Sequence, residues 1–167
     1  MKIISTLLAV LLLLTFTTSC GNKKAKTKQE QIAEFRSMLT PSDTTQMLQI
    51  CDNAMELLKK KNIDEVLAAI HEYDDSLKEV KPLSEMMRKR LTNQFKMFPV
   101  LNYRRVYYSF MLEGCNDVKY DIEFATAEQA GTETAPVTSF MFNPVKVGND
   151  WKLCVKTADM DIDFSKD

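Results

Sequence analysis

Apolar and polar positions divide the chain into three stretches. After one positive charge at Lys2, the run Ile3 to Phe16 is broken only by Ser5, Thr6 and Thr15, and it ends in the small polar residues Thr17-Thr18-Ser19. A spanning helix needs about 20 apolar residues, so this shorter run with a small-residue exit predicts a removable export signal over 1–19. Residues 20–30 then carry Lys23, Lys24, Lys26 and Lys28 among small or polar neighbours. That composition predicts a solvated tether, because it is too polar to bury. Residues 31–167 alternate in the manner of one folded domain.

Within that domain the period is helical first. Ile32, Phe35, Met38 and Leu39 fall on one face of a helix over Gln31 to Leu39 that Pro41 closes. A second helix, capped by Ser42 or Asp43, carries the stripe Met47, Ile50, Cys51, Ala54, Leu57 and Leu58, with Lys59-Lys60-Lys61 at its C-terminal end. Ile63, Val66, Leu67, Ile70 and Tyr73 make a third stripe after Asn62. Pro82 opens a fourth helix, which turns Leu83, Met86, Met87, Leu91, Phe95 and Phe98 inward and ends at Pro99. From Tyr103 the period becomes two. Strands are expected over Tyr103 to Leu112, Val118 to Phe124, Val137 to about Val147 and a last one containing Trp151, Leu153 and Val155. Turns at Gly114-Cys115-Asn116-Asp117 and Gly148-Asn149-Asp150 join them in two hairpins, with a polar loop from Thr126 to Pro136 between. Helices segregated before strands predict an α+β domain, N-terminal helices packed on a curved four-stranded antiparallel sheet.

Composition narrows the function classes. With 167 residues, 45% hydrophobic and 27% charged, and a formal net charge of −1, the chain has the content for one globular core and no bulk attraction to polyanions. Its 4 glycines are isolated, so no glycine-rich phosphate cradle, dinucleotide fingerprint or nucleophile elbow can be drawn.

The segment Thr17-Thr18-Ser19-Cys20 resembles a bacterial lipobox. The resemblance implies that Cys20 is the lipid attachment residue and new acylated N-terminus, and that the domain is a membrane-anchored lipoprotein. With no aspartate at position 21 and no acidic cluster after Cys20, it further implies the periplasmic side of the outer membrane, with the cell surface as the variant. The element order and the turn Val147-Gly148-Asn149-Asp150-Trp151-Lys152-Leu153 resemble the small Bacteroidota lipoproteins of the nuclear-transport-factor-2-like (cystatin-like roll) superfamily, over residues 43–157. A typical roll inserts a short strand between its second and third helices, and the periodicity shows none here.

Candidate chemistry is sparse. His71, Asp74 and Asp75 form an i, i+3, i+4 set on the expected third helix, too poor in His and Cys for a usual metal site. Asp159-Met160-Asp161-Ile162-Asp163 opens like a calcium loop but has Phe164 where glycine is required, and reads instead as an edge extension of the last strand. Cys51 lies on an apolar stripe, whereas Cys115 in a turn and Cys154 on a polar strand face are the candidates for a disulfide. Tyr103-Arg104-Arg105-Val106-Tyr107-Tyr108 interleaves bases and aromatics, but export argues against nucleic acid, and alternation makes these sheet positions. In a roll, Tyr107, Tyr108, Phe110, Phe140, Met141 and Phe142 would line the sheet-to-helix crevice as a ligand site or fill it as core. The reading is a lipid-anchored periplasmic binding or interaction domain, non-catalytic and without cofactor or metal. It would contact the membrane through its lipid and bind an envelope protein or a small apolar ligand on the concave sheet face. The alternatives are a small enzyme of the cone-shaped roll type using His71 or Asp121 as pocket acid or base, and an inhibitor or immunity-type protein.

Overall fold

The computed structural model describes residues 25–156. Its elements are α1 (Lys28–Ser37), α2 (Pro41–Lys59), α3 (Ile63–Ala69), β1 (Ile70–Asp74), β2 (Glu79–Pro82), α4 (Glu85–Met97), β3 (Asn102–Leu112), β4 (Cys115–Glu123), α5 (Ala127–Ala130), β5 (Val137–Val147) and β6 (Asp150–Val155). Cys20, the export signal and the 159–164 alternation lie outside the described residues.

Local chemistry sets the helix starts. Thr27 and Thr40 each accept from the backbone N–H three residues on while Glu30 and Asp43 reach back, two capping boxes that begin α1 and α2. Helix α1 thus starts three residues before the expected Gln31. Pro41 both follows α1 and occupies the first turn of α2, so the second helix is capped by Thr40 and not by Ser42 or Asp43.

The sheet is α+β in kind, as expected, but has six strands in the order β2-β1-β6-β5-β4-β3, with β1 and β6 parallel and every other pair antiparallel. The expected four-strand antiparallel sheet lacks β1 and β2 because the third stripe does not stay helical. Helix α3 ends at Ala69, and Ile70–Asp74 becomes a strand between β6 and β2. Pro82 closes β2 instead of opening a helix, and Ser84 caps α4. A proline is tolerated there because β2 is an edge strand and no neighbour needs its N–H.

The core lies between α2 and the sheet. Met47, Cys51, Ala54, Met55 and Leu58 of α2 meet Val118, Tyr120, Ile122, Phe140, Phe142, Trp151, Leu153 and Val155. Helix α4 adds Phe95 against Phe140, centroids 5.5 Å apart, and α1 packs along β3. Arg36 Nε donates to the Phe110 carbonyl at 2.6 Å, which covers part of that edge strand. Where Pro144 interrupts β5, two buried asparagines replace the ladder. Asn143 accepts from Asn116 N (2.8 Å) and donates to Gly114 O (2.9 Å), while Asn116 donates to Pro144 O (2.9 Å) and accepts from Met111 N (3.0 Å). Gly114 is needed for a steric reason, since a Cβ there would stand 2.0 Å from the Tyr73 ring.

Candidate functional site

The best-organised polar cluster joins α2 to the sheet beside its β3 edge. Asp52 and Glu56 are one helical turn apart on α2 and therefore point the same way. Asp52 accepts from the Tyr120 hydroxyl at 2.6 Å and from Arg105 Nη1 at 3.0 and 3.2 Å, and Glu56 accepts from the Tyr103 hydroxyl at 2.6 Å. The Tyr103 and Tyr120 rings meet edge to face at 5.8 Å, and the Lys59 ammonium stands 5.9 Å from the Tyr103 centroid. Burial, reinforced by the carboxylate each one faces, pushes both phenols well above the ordinary tyrosine value, so these hydroxyls hold their protons and serve as donors. Asp52 and Arg105 side chains remain 41% and 35% exposed, so the seam is open to solvent along one lip.

A bulge between Arg105 and Tyr107 changes which side chains share that lip. Before it, Tyr103 and Arg105 face α2. After it, Tyr108 and Phe110 are on the helix-facing side, with ring centroids 6.1 Å apart and Phe110 packed 5.8 Å from Trp151. Of the aromatic set expected to line one crevice, Phe140 and Phe142 are sealed in the core and Phe110 is half-buried against it. Tyr107 and Tyr108 are exposed and fall on opposite faces of β3, Tyr107 in register with Lys119 and Tyr108 with Val118. Met141 is half-buried on the outer face. Asp52 and Glu56 do not stand out in the sequence because they flank the apolar stripe instead of lying on it. Their i, i+4 spacing opposite a Tyr-x-Arg strand was the available signal.

The remaining candidates are scattered. His71 is on β1, across the sheet from β3, with Nδ1 3.0 Å from the Ala69 carbonyl oxygen. Asp74 is occupied within its own turn by Ser76, Leu77 and Lys81. Because β1 is a strand, the expected i, i+3, i+4 helical set with Asp75 does not exist, and no group of three or more His, Cys, Asp or Glu is gathered for a metal ion among the described residues. Asp121 faces away from α2, held by Arg104 (3.1 Å) and the Ser139 hydroxyl (2.9 Å) beside a groove of about 320 Å³.

Cys154 is not on an exposed face. It lies fully buried between Asn143 of β5 and His71 of β1, because β6 is an interior strand with neighbours on both sides. Burial pushes its thiol up to about 12 and raises that of the core residue Cys51 further. Cys115 is half-exposed with Lys156 Nζ 3.4 Å from its sulfur, and no disulfide joins it to Cys154.

Compared with protein-family models, curated proteins and solved structures, the chain matches none.

Proposed function

We propose that this chain is a lipid-anchored envelope protein, tethered through Cys20 on the periplasmic side of the outer membrane, whose globular part is a non-catalytic interaction domain. The fold is read as a cystatin-like roll of the nuclear-transport-factor-2-like superfamily. The hairpin β1–β2 inserted among the helices supports that reading, since it supplies the strand element that periodicity did not reveal. The docking surface is the open margin of the concave face along β3, and its partner is an envelope protein.

One observation carries the functional reading. Tyr108, on the helix-facing side of the edge strand, is 45% exposed and Val106 at the bulge is 44% exposed, beside the half-open Asp52–Arg105 pair. Tyrosine and arginine next to a satisfied carboxylate are the composition of a protein-binding hot spot. The polar groups of the seam satisfy one another, the arrangement of a positioned surface and not of a group poised for proton transfer.

The test places a photo-crosslinking phenylalanine analogue at Tyr108 in the full-length chain, in the native envelope. A discrete protein adduct at 108 that is absent when the probe stands at Glu128 supports the reading. Equal labelling at both positions, or none at 108, overturns it. Cys20→Ser in the same cells should release the protein to the soluble fraction in a high-salt wash that strips electrostatic contacts, and retention of that variant through the wash overturns the anchor.

A further inference from the structure

The outward face of α4 differs from the rest of the described surface. Its inner side buries Phe95, packs Met87 and Leu91 against the core, and spends Arg88 on the Leu67 carbonyl at 3.3 Å. The six residues Met86, Lys89, Arg90, Asn93, Lys96 and Met97 are all exposed. At 3.6 residues per turn they occupy one arc of about 120°. Met86 and Met97, at 78% and 67%, are the most exposed large apolar side chains among the described residues. Elsewhere seven bases are spent on carboxylates, and those outside any ion pair among the described residues, such as Lys60, Lys61, Lys119 and Lys152, have no comparably exposed methionines beside them on one helical face. Lys26, Lys78, Lys81, Arg104, Arg105, Lys146 and Lys156 each pair with a carboxylate. Lys89, Arg90 and Lys96 enter no ion pair among the described residues, and the one acid on the helix, Glu85, stands at its start.

We infer that this face of α4 rests on an anionic lipid bilayer, its three cations on the phosphates and its two thioethers at the headgroup–acyl boundary. The inference deepens the lipid-anchored reading by saying which side of the domain meets the membrane. Charge complementarity alone would suit any polyanion. The methionines decide for lipid: they stand roughly 16 Å apart along the helix axis, with the cations between them, so one surface that is flat, anionic and apolar beneath is needed to take all five side chains. An acidic protein could meet the cations but would need two matched apolar pockets at that spacing.

The experiment uses residues 25–167, which contain the whole described core but lack Cys20, so its result is independent of lipidation. Binding is measured by sedimentation with vesicles of phosphatidylethanolamine plus phosphatidylglycerol and with vesicles of phosphatidylcholine alone. At about fivefold per charge near an anionic surface, the triple reversal Lys89→Glu, Arg90→Glu, Lys96→Glu should weaken binding to the anionic vesicles about 100-fold or more. Met86→Ser with Met97→Ser should weaken it about tenfold with the charge unchanged. The matched control Lys60→Glu, Lys61→Glu, Lys152→Glu should move it by less than about threefold, because those lysines lie off α4, in the turn after α2 and on β6. All the substituted side chains are exposed, and unchanged melting of each variant verifies that folding is not at issue. Three results overturn the inference: no binding to anionic vesicles, equal loss in the control, or a methionine variant that binds like the parent while polyglutamate displaces both. Vesicle binding here together with a Cys20→Ser protein that stays in the membrane through a high-salt wash would overturn only the anchor.

Discussion

Helix α2 reaches the sheet with carboxylates at two places, Asp43 near its N-terminus and the neighbours Asp52 and Glu56 further along, and the two contacts differ in depth. Near its N-terminus Asp43, 5% exposed, accepts from the Thr40 backbone and hydroxyl, from Trp151 Nε1 at 3.1 Å and from Lys146 Nζ at 2.6 Å. Further along, Asp52 binds Tyr120 and Arg105 with similar geometry, but its side chain is 41% exposed. Identical chemistry therefore sits in two dielectrics. A buried carboxylate that lost a partner would be stranded without water, whereas a half-exposed one is resolvated. The first contact is a latch that fixes how α2 lies on β5 and β6. The second holds the hydroxyl of the buried Tyr120 on one side and the half-exposed Arg105 guanidinium on the other, so only its Arg105 arm is open to water.

The largest expected effect tests the latch. Asp43→Ala strands the Lys146 ammonium and the Trp151 indole N–H, and should cost about 3 kcal/mol in urea denaturation. A loss no greater than that of Asp52→Ala breaks the comparison. Acid should reveal the same difference. The Lys146 ion pair, with hydrogen bonds from Thr40 and Trp151, outweighs burial and holds the Asp43 carboxyl well below the ordinary carboxylate value. A depressed folded-state value means the stabilisation is complete above the unfolded value, about 3.9, and is lost progressively as pH falls below it. Melting temperatures followed downward from neutral pH should therefore fall less steeply at the acid end for Asp43→Asn than for the parent, and parallel curves would count against the latch. The smallest effect belongs to the seam. Asp52→Ala, which also takes the acceptor from the buried Tyr120 hydroxyl, should cost about 2 kcal/mol, the Arg105 part of it removable by salt. A loss as large as that of Asp43→Ala would mean the seam is structural and unsuited to partner exchange.

The seam was half legible in the chain. Tyr103 and Arg105 read as alternating sheet positions and face α2 as such, but the bulge after Arg105 carries Tyr108, not Tyr107, to their side. A bulge is one extra residue in a pairing ladder, and it has no local spelling until the partner strand is in place. The β1–β2 hairpin was hidden for a related reason. Ile70 and Tyr73 fit a helical stripe started by Ile63, Val66 and Leu67, and a five-residue strand is too short for its own period to compete. Pairing with β6 and β2 supplies the backbone hydrogen bonds that decide it.

What the sequence determined by itself is local: the apolar stripe of α2, the alternation of β4, the turn at Gly148, and an α+β order of elements, whereas the turn expected over Gly114 to Asp117 closes by Gly114 and leaves Cys115, Asn116 and Asp117 paired in β4. Each follows from side-chain period or backbone sterics within a few residues. Tertiary structure alone decided the sixfold mixed sheet, the burial of Cys154, the asparagine stitches around Pro144 and the meeting of Asp43 with Trp151. Those depend on which distant segments share a hydrogen-bond ladder or a water-free space, and that is settled only when the whole core closes.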